Sequence, residues 1–428
     1  MTAAHKEPAM KTSGFRWVVI GLIAIATIIN YIDRNALAVM WPEISKEIGA
    51  SKEDYALLVT IFMIFYAIGQ SLFGRIFDRV GVRIGFGISI LAWSASIALH
   101  AVASSIASFS VFRAMLGVSE AGAWPGTAKA NAEWFPTRER AFAQGIFNSG
   151  AAVGAIVSAP LIAYLFLVFG WKGTFLLIGA LGALWLLPWL LLYRAGPDSH
   201  PWVSDAERAH ILGGRPAAAA DEPAVGVGEL LRHKQSWGII VSRFFLDPVW
   251  WLFVSWLPIY LAETFGFDIK QIGLFGWAPY VGAMLGSLFG GWLSGRLIRA
   301  GWSVDRARKS AIVLGGAIMM PALLVAARAG DPLLAVLTIA VVLFGFQVAI
   351  NNIQAMPADF FSGKSVGSLA GVSGTSAVVG VLATTWLVPA MTKISYAPIF
   401  ILAAVIVPLS VLAIFLGGRI EPVRKAAG

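Results

Sequence analysis

The stretch FRWVVIGLIAIATIINYIDRNALAVM, residues 15–40, decides the fold. Its first half is almost unbroken apolar sequence, and about 20 such residues, rising 1.5 Å each in a helix, cross a hydrocarbon layer roughly 30 Å thick. Its second half contains INYIDRNAL, residues 29–37, which sets Asp33 and Arg34 side by side. An ionisable side chain in a membrane helix costs roughly 2.5–3.5 kcal/mol on insertion scales. Consecutive residues diverge by about 100° around a helix, so both charges escape lipid only where a wet cavity wraps that surface. The competing reading is a purely structural Asp–Arg pair.

The rest of the chain repeats this pattern. Of 428 residues, 58% are hydrophobic and 13% charged, with mean hydropathy +0.77, against about 45–50% and 25% in soluble domains. Breaks at charged and Pro/Gly-rich loops predict twelve membrane helices, at residues 15–40, 55–73, 84–103, 109–128, 142–168 and 173–193, then 237–261, 272–293, 311–327, 333–353, 368–391 and 397–416. The expected fold class is an all-α membrane protein of two six-helix bundles. Residues 1–194 form the first bundle, 195–236 a polar cytoplasmic linker and 237–428 the second bundle.

Most of the 32 lysines and arginines fall in segments on the side of the termini and linker, notably GRIFDRVGVR, TRER and GRLIRAGWSVDRARK. Retention of such residues in the cytoplasm places both termini inside. The charge of +9 thus reflects topology, not a nucleic-acid face. There is no cysteine, and the five histidines lie scattered without ligand spacing, so no disulfide, metal site or other cofactor is expected. The first apolar run is too long for a signal peptide and is expected to be retained.

The halves echo each other. AEWFPTRERAFAQGIFNSGAAVG from Ala132 matches ADFFSGKSVGSLAGVSGTSAVVG from Ala358, aligning Phe135 with Phe361, Gly145 with Gly371 and Gly154 with Gly380; SLFGR at Ser71 meets SLFGG at Ser287. Parallel repeats of this kind relate two bundles by an axis along the membrane normal, with a cavity between them near the midplane.

Few ionisable residues fall inside the predicted spans. Arg34 has Tyr31 three and Asn30 four residues before it, and its planar guanidinium suits a carboxylate. Arg113 and Glu120 lie seven apart in the fourth span, too far for a direct pair; each needs another partner, and Asp33 is a candidate for one of them. Burial favours a neutral carboxyl and a nearby arginine the ionised one, so an arginine that moves switches proton affinity. Arg243 and Asp247, four apart, read as a structural or gating pair. Tyr66, Trp256, Tyr260, Asn351, Asn352, Gln354, Ser373 and Thr375 add polar or aromatic groups, each of which also suits ordinary packing. Gly74, Asp78 and Arg79 in the loop after the second span are candidates for a conformational latch. GKS at 363–365 mimics the end of a phosphate loop, but Ala358 stands where its first glycine belongs.

That loop, with EWFPTRER at 133–140, resembles the signatures of the major facilitator superfamily. NYIDRNALAV, RAMLGVSEAGAWPGTAKANAEWFPTRERA and RFFLDPVWWLFVSWLPIYL are similar to its anion:cation symporters, which include sugar-acid, vesicular glutamate and sialic-acid carriers; the last segment most resembles hexuronate and aldonate carriers. The resemblance implies substrate contacts at Tyr31, Arg34 and Tyr66, and proton uptake at Asp33 and Glu120 with Arg113 relaying. Trp256, Asn352 and Ser373 complete the expected substrate set. The presence of Asp33, absent from some hexuronate relatives, leans toward aldonate-type coupling. The reading is a non-enzymatic, monomeric inner-membrane symporter importing a sugar-acid anion with protons as its coupling ion. Its rivals are a uniporter or exporter of a dicarboxylate or aromatic acid, and a non-transporting receptor.

Overall fold

The computed structural model describes residues 14–214, 226–267, 271, 275–361 and 365–423. No strand occurs among the described residues. The first span is Phe15–Ile48; the second and third share one run, Lys52–Leu99. The fourth comprises Ile106–Glu120 and Ala123–Trp134, and the fifth and sixth share Thr137–Leu192. The seventh to twelfth are Lys234–Phe265, Ala278–Arg299, Val304–Ala326, Pro332–Phe360, Val366–Met391 and Ala397–Leu416. Short helices Asp205–Gly213 and Val227–Leu230 lie in the linker.

The two long runs reverse at Gly81 (φ 79°) and Gly170 (φ 64°). Side chains other than glycine are disfavoured at such positive φ, so these residues turn one run into two crossings. Eight helices are long and apolar enough to cross a membrane by length and composition; counting each reversed run twice and adding the broken fourth helix and Ala278–Arg299 makes twelve. Several exceed their predicted lengths. The first continues through Pro42 to Ile48, because polar residues beyond the lipid keep helical backbone bonds that hydropathy does not register. The predicted start of the eighth span, at 272, lies outside the described residues.

Each half has its own apolar core, one built on Phe77, Phe86, Trp93 and Trp189, the other on Phe253, Leu323, Leu343 and Phe400. The halves meet where the second span packs on the eleventh and the fifth on the eighth. There the two sequence echoes meet crosswise. A Cβ on Gly145 would strike the Ser287 carbonyl, and one on Gly371 the Gln70 carbonyl beside Ser71. Gly145 and Gly371 are repeat partners, as are Ser71 and Ser287, so the internal symmetry is seen in the packing itself.

Candidate functional site

Between the halves lies a narrow cavity of about 50 Å³. Its wall takes Tyr31 and Arg34 from the first span, Tyr66 and Gln70 from the second, and Arg243 and Asp247 from the seventh, with further residues from the fourth, fifth, tenth and eleventh. The fourth helix breaks at Ala121–Gly122, between Glu120 and the cavity residue Trp124. At Gly117, the absent side chain lets this helix approach the Phe62 backbone of the second span, bringing Glu120 toward the first.

Arg34 is the centre of the site. Its Nε and Nη2 donate to Glu120 Oε2 at 3.2 and 3.0 Å, and Nη2 also donates to Asn30 Oδ1 at 3.1 Å. Five rings, those of Tyr31, Phe62, Tyr66, Trp124 and Trp251, lie 5.0–5.9 Å from its guanidinium carbon. Such rings stabilise a cation without neutralising it. The guanidinium is therefore held in place while its in-plane donors stay available for a carboxylate.

The acids divide differently from either sequence expectation. Asp33 is completely buried, and neither carboxyl oxygen has a hydrogen-bond partner among the described residues. It does not pair with Arg34; that partner is Glu120, whose Oε1 is itself unpartnered. Arg113 is buried with its Nε unpaired, and its guanidinium lies 6.0 Å from the Phe62 ring. No ion pair joins Arg113 to Asp33 or Glu120 among the described residues, although all four charged groups lie within electrostatic reach of one another. A buried carboxylate without donors is costly in its ionised form.

Other predicted residues separate. Tyr31 and Tyr66 are in the wall. Trp256 is not; it packs against the core of the second half. Asn352 faces away, donating to the carbonyls of Gly290 and Val348 and accepting from Arg308. Ser373 borders a small adjoining pocket and accepts from Arg243 Nη1 at 3.3 Å. Arg243 and Asp247, expected in the gate, form a two-bond pair at 3.2 and 3.1 Å in the cavity wall. Sequence reasoning missed Gln70, Gln347, Trp124 and Trp251 in that wall. A glutamine inside an apolar run was a usable signal for the first two.

On the linker side the cavity is shut. Asn148 donates across the halves to Asn351 and Gln354 at 2.6 and 2.8 Å. Beyond this rung, Asp78 accepts from Gly367 N at 3.0 Å, Ser368 N at 2.6 Å and Lys129 Nζ at 3.3 Å. It thus caps the start of the eleventh span, where free backbone donors favour an anion. Gly74 lets that helix approach, since a Cβ there would strike the Gly367 carbonyl. Arg79, expected in the latch, is exposed and makes no ion pair among the described residues. A second clasp was missed: Asp359 accepts from Arg140 at 3.2 Å and Arg308 at 3.0 Å, while Arg308 also reaches the Thr137 carbonyl at 2.9 Å.

Twelve helices in two echoing halves, enclosing a charged cavity that is closed at one face, define a membrane transporter. The chain belongs to the major facilitator superfamily, whose family model matches residues 23–300. It is 30% identical to the hexuronate transporter of Escherichia coli K12 over 429 residues, covering 97% of each chain. It is 33% identical to the galacturonate transporter of Dickeya chrysanthemi over 314 residues, 72% of this chain and 90% of the other. In structure it resembles a proton:xylose symporter with a TM-score of 0.72 at 14% identity, over 95% of this chain and 96% of that one. The chain is a multi-pass transporter and not an enzyme.

Proposed function

We propose that this transporter is a proton-coupled symporter that imports a sugar-acid anion of the hexuronate or aldonate type. The observation that carries the reading is the caged Arg34, whose carboxylate-binding edge is occupied by Glu120 beside an unpartnered Asp33. The relatives' hexuronate and galacturonate substrates each offer one carboxylate to such an edge. Protonation of Glu120 releases Arg34, whose donors then take the substrate carboxylate. Asp33 is the second proton acceptor, and Arg113 passes its field between the two acids as they change charge. Protons are the coupling ion, and no other cofactor is required.

With both termini in the cytoplasm of a bacterial inner membrane, as the lysine and arginine distribution favours, the shut linker side is the cytoplasmic side. The described state then faces outward. Rocking of the halves opens the clasps, the anion leaves inward, the protons follow, and Glu120 recaptures Arg34 to reset the empty carrier as a monomer. Uptake of galacturonate, glucuronate and galactonate into proteoliposomes tests this. An inward proton gradient should accelerate uptake and drive accumulation; uptake indifferent to the gradient would reject coupling, and competition by aromatic acids alone would reject the substrate class.

A further inference from the structure

The Arg243–Asp247 pair stands in the same cavity wall as Arg34, and the transport cycle above makes no use of it. We infer that Asp247 makes this end of the cavity a hydroxyl-binding pole that admits acids with one carboxylate and rejects those with two; the inference rests on the sugar-acid reading and deepens it.

The charged residues of the wall are Arg34, Arg243 and Asp247. Arg243 is already committed, through Nε and Nη2 to the two oxygens of Asp247 and through Nη1 to Ser373 Oγ. Once Glu120 lets go of Arg34, the wall therefore offers one uncompensated cation, enough for one carboxylate. Tyr66 lies within electrostatic reach of both guanidiniums, so the two poles share one small space. A second carboxylate on the same ligand would meet Asp247 with no free cation beside it, and like charges brought together away from water repel strongly.

An independent observation identifies what the cavity accepts. Gln70 and Gln347 both line the cavity, and the buried Oε1 of each has no hydrogen-bond partner among the described residues. Unsatisfied acceptors call for donors. Carboxylates donate nothing when ionised, whereas hydroxyls donate readily, and an ionised carboxylate such as Asp247 accepts from two neighbouring hydroxyls at once. Two glutamine oxygens and one carboxylate thus favour a polyhydroxy chain, with its carboxylate at Arg34 and its far end uncharged. Specificity of this kind works by penalising the wrong ligand as well as holding the right one.

The test compares galactonate with galactarate, open chains of the same carbon skeleton of which the second carries carboxylates at both ends, by calorimetry on the purified full-length protein. Wild type should bind galactonate at least about tenfold more tightly. Asp247→Asn should bring the ratio to about one or invert it, weakening galactonate and strengthening galactarate, because Arg243 then stands unpaired. If that variant fails to fold, the double variant Arg243→Gln/Asp247→Asn removes the acid without stranding the cation, and the ratio should still fall several-fold. Equal binding of both acids by wild type, or an unchanged ratio in the variant that folds, overturns the role of Asp247 while leaving the sugar-acid reading in place. Folded wild type that binds neither acid overturns that reading, and this inference with it.

Discussion

The guanidinium of Arg34 is bound by Glu120, and the proposed function makes it the group that takes the substrate carboxylate. Arg34→Lys keeps the charge but loses the two-bond edge presented to Glu120. Sugar-acid affinity should fall at least about tenfold, the scale of a lost charged hydrogen bond; unchanged affinity in a binding titration removes Arg34 from the site. Asp33→Asn and Glu120→Gln separate coupling from binding. Each replaces a group that lacks a partner on at least one oxygen with a neutral isostere. Exchange of substrate down its own gradient should survive in each, while accumulation against a gradient is lost; accumulation at the wild-type level would acquit the acid concerned. At this scale the sequence was a partial guide. Paired charges in an apolar helix pointed to Arg34 and Asp33, but their partners depend on which way each side chain turns. Asn351 and Asn352 show the limit: neighbours on a helix point about 100° apart, and only the first bridges the halves.

The helices that close the linker side are held by few, directional contacts. Asp78→Asn exchanges a charged acceptor of two backbone N–H groups and Lys129 for a neutral one, a loss of about 1–3 kcal/mol per such bond. The closed state should become less populated, by roughly tenfold for each 1.4 kcal/mol. Gly145→Val and Gly371→Val drive a side chain into the facing backbone and should prevent closure altogether. The chain has no cysteine, so a single cysteine placed at Ala151, in the cavity wall one turn beyond the Asn148 rung, reports access without background. Labelling from the linker side should accelerate in all three variants; unchanged labelling would mean the clasps do not hold this face. The spans themselves were legible, since hydropathy over about 20 residues fixes a crossing without detail. Their ends were not, because helix continues past the lipid. Nor was the Arg140–Asp359–Arg308 clasp, which joins residues 219 apart in the chain and has no local signal. Trp124 and Trp251 escaped notice because tryptophan in an apolar span is ordinary packing.

At the level of the whole molecule, two halves share one cavity and close on one side, and the internal repeats that announced the halves also supply the surfaces on which they meet. If substrate takes the place of the Glu120 carboxylate on Arg34, binding and proton uptake are one event. Calorimetric titration of galacturonate in buffers of different ionisation enthalpy reads the protons exchanged on binding. Wild type should take up protons on binding, and Glu120→Gln should take up fewer while binding persists. Tight binding with no proton exchange in wild type would contradict it.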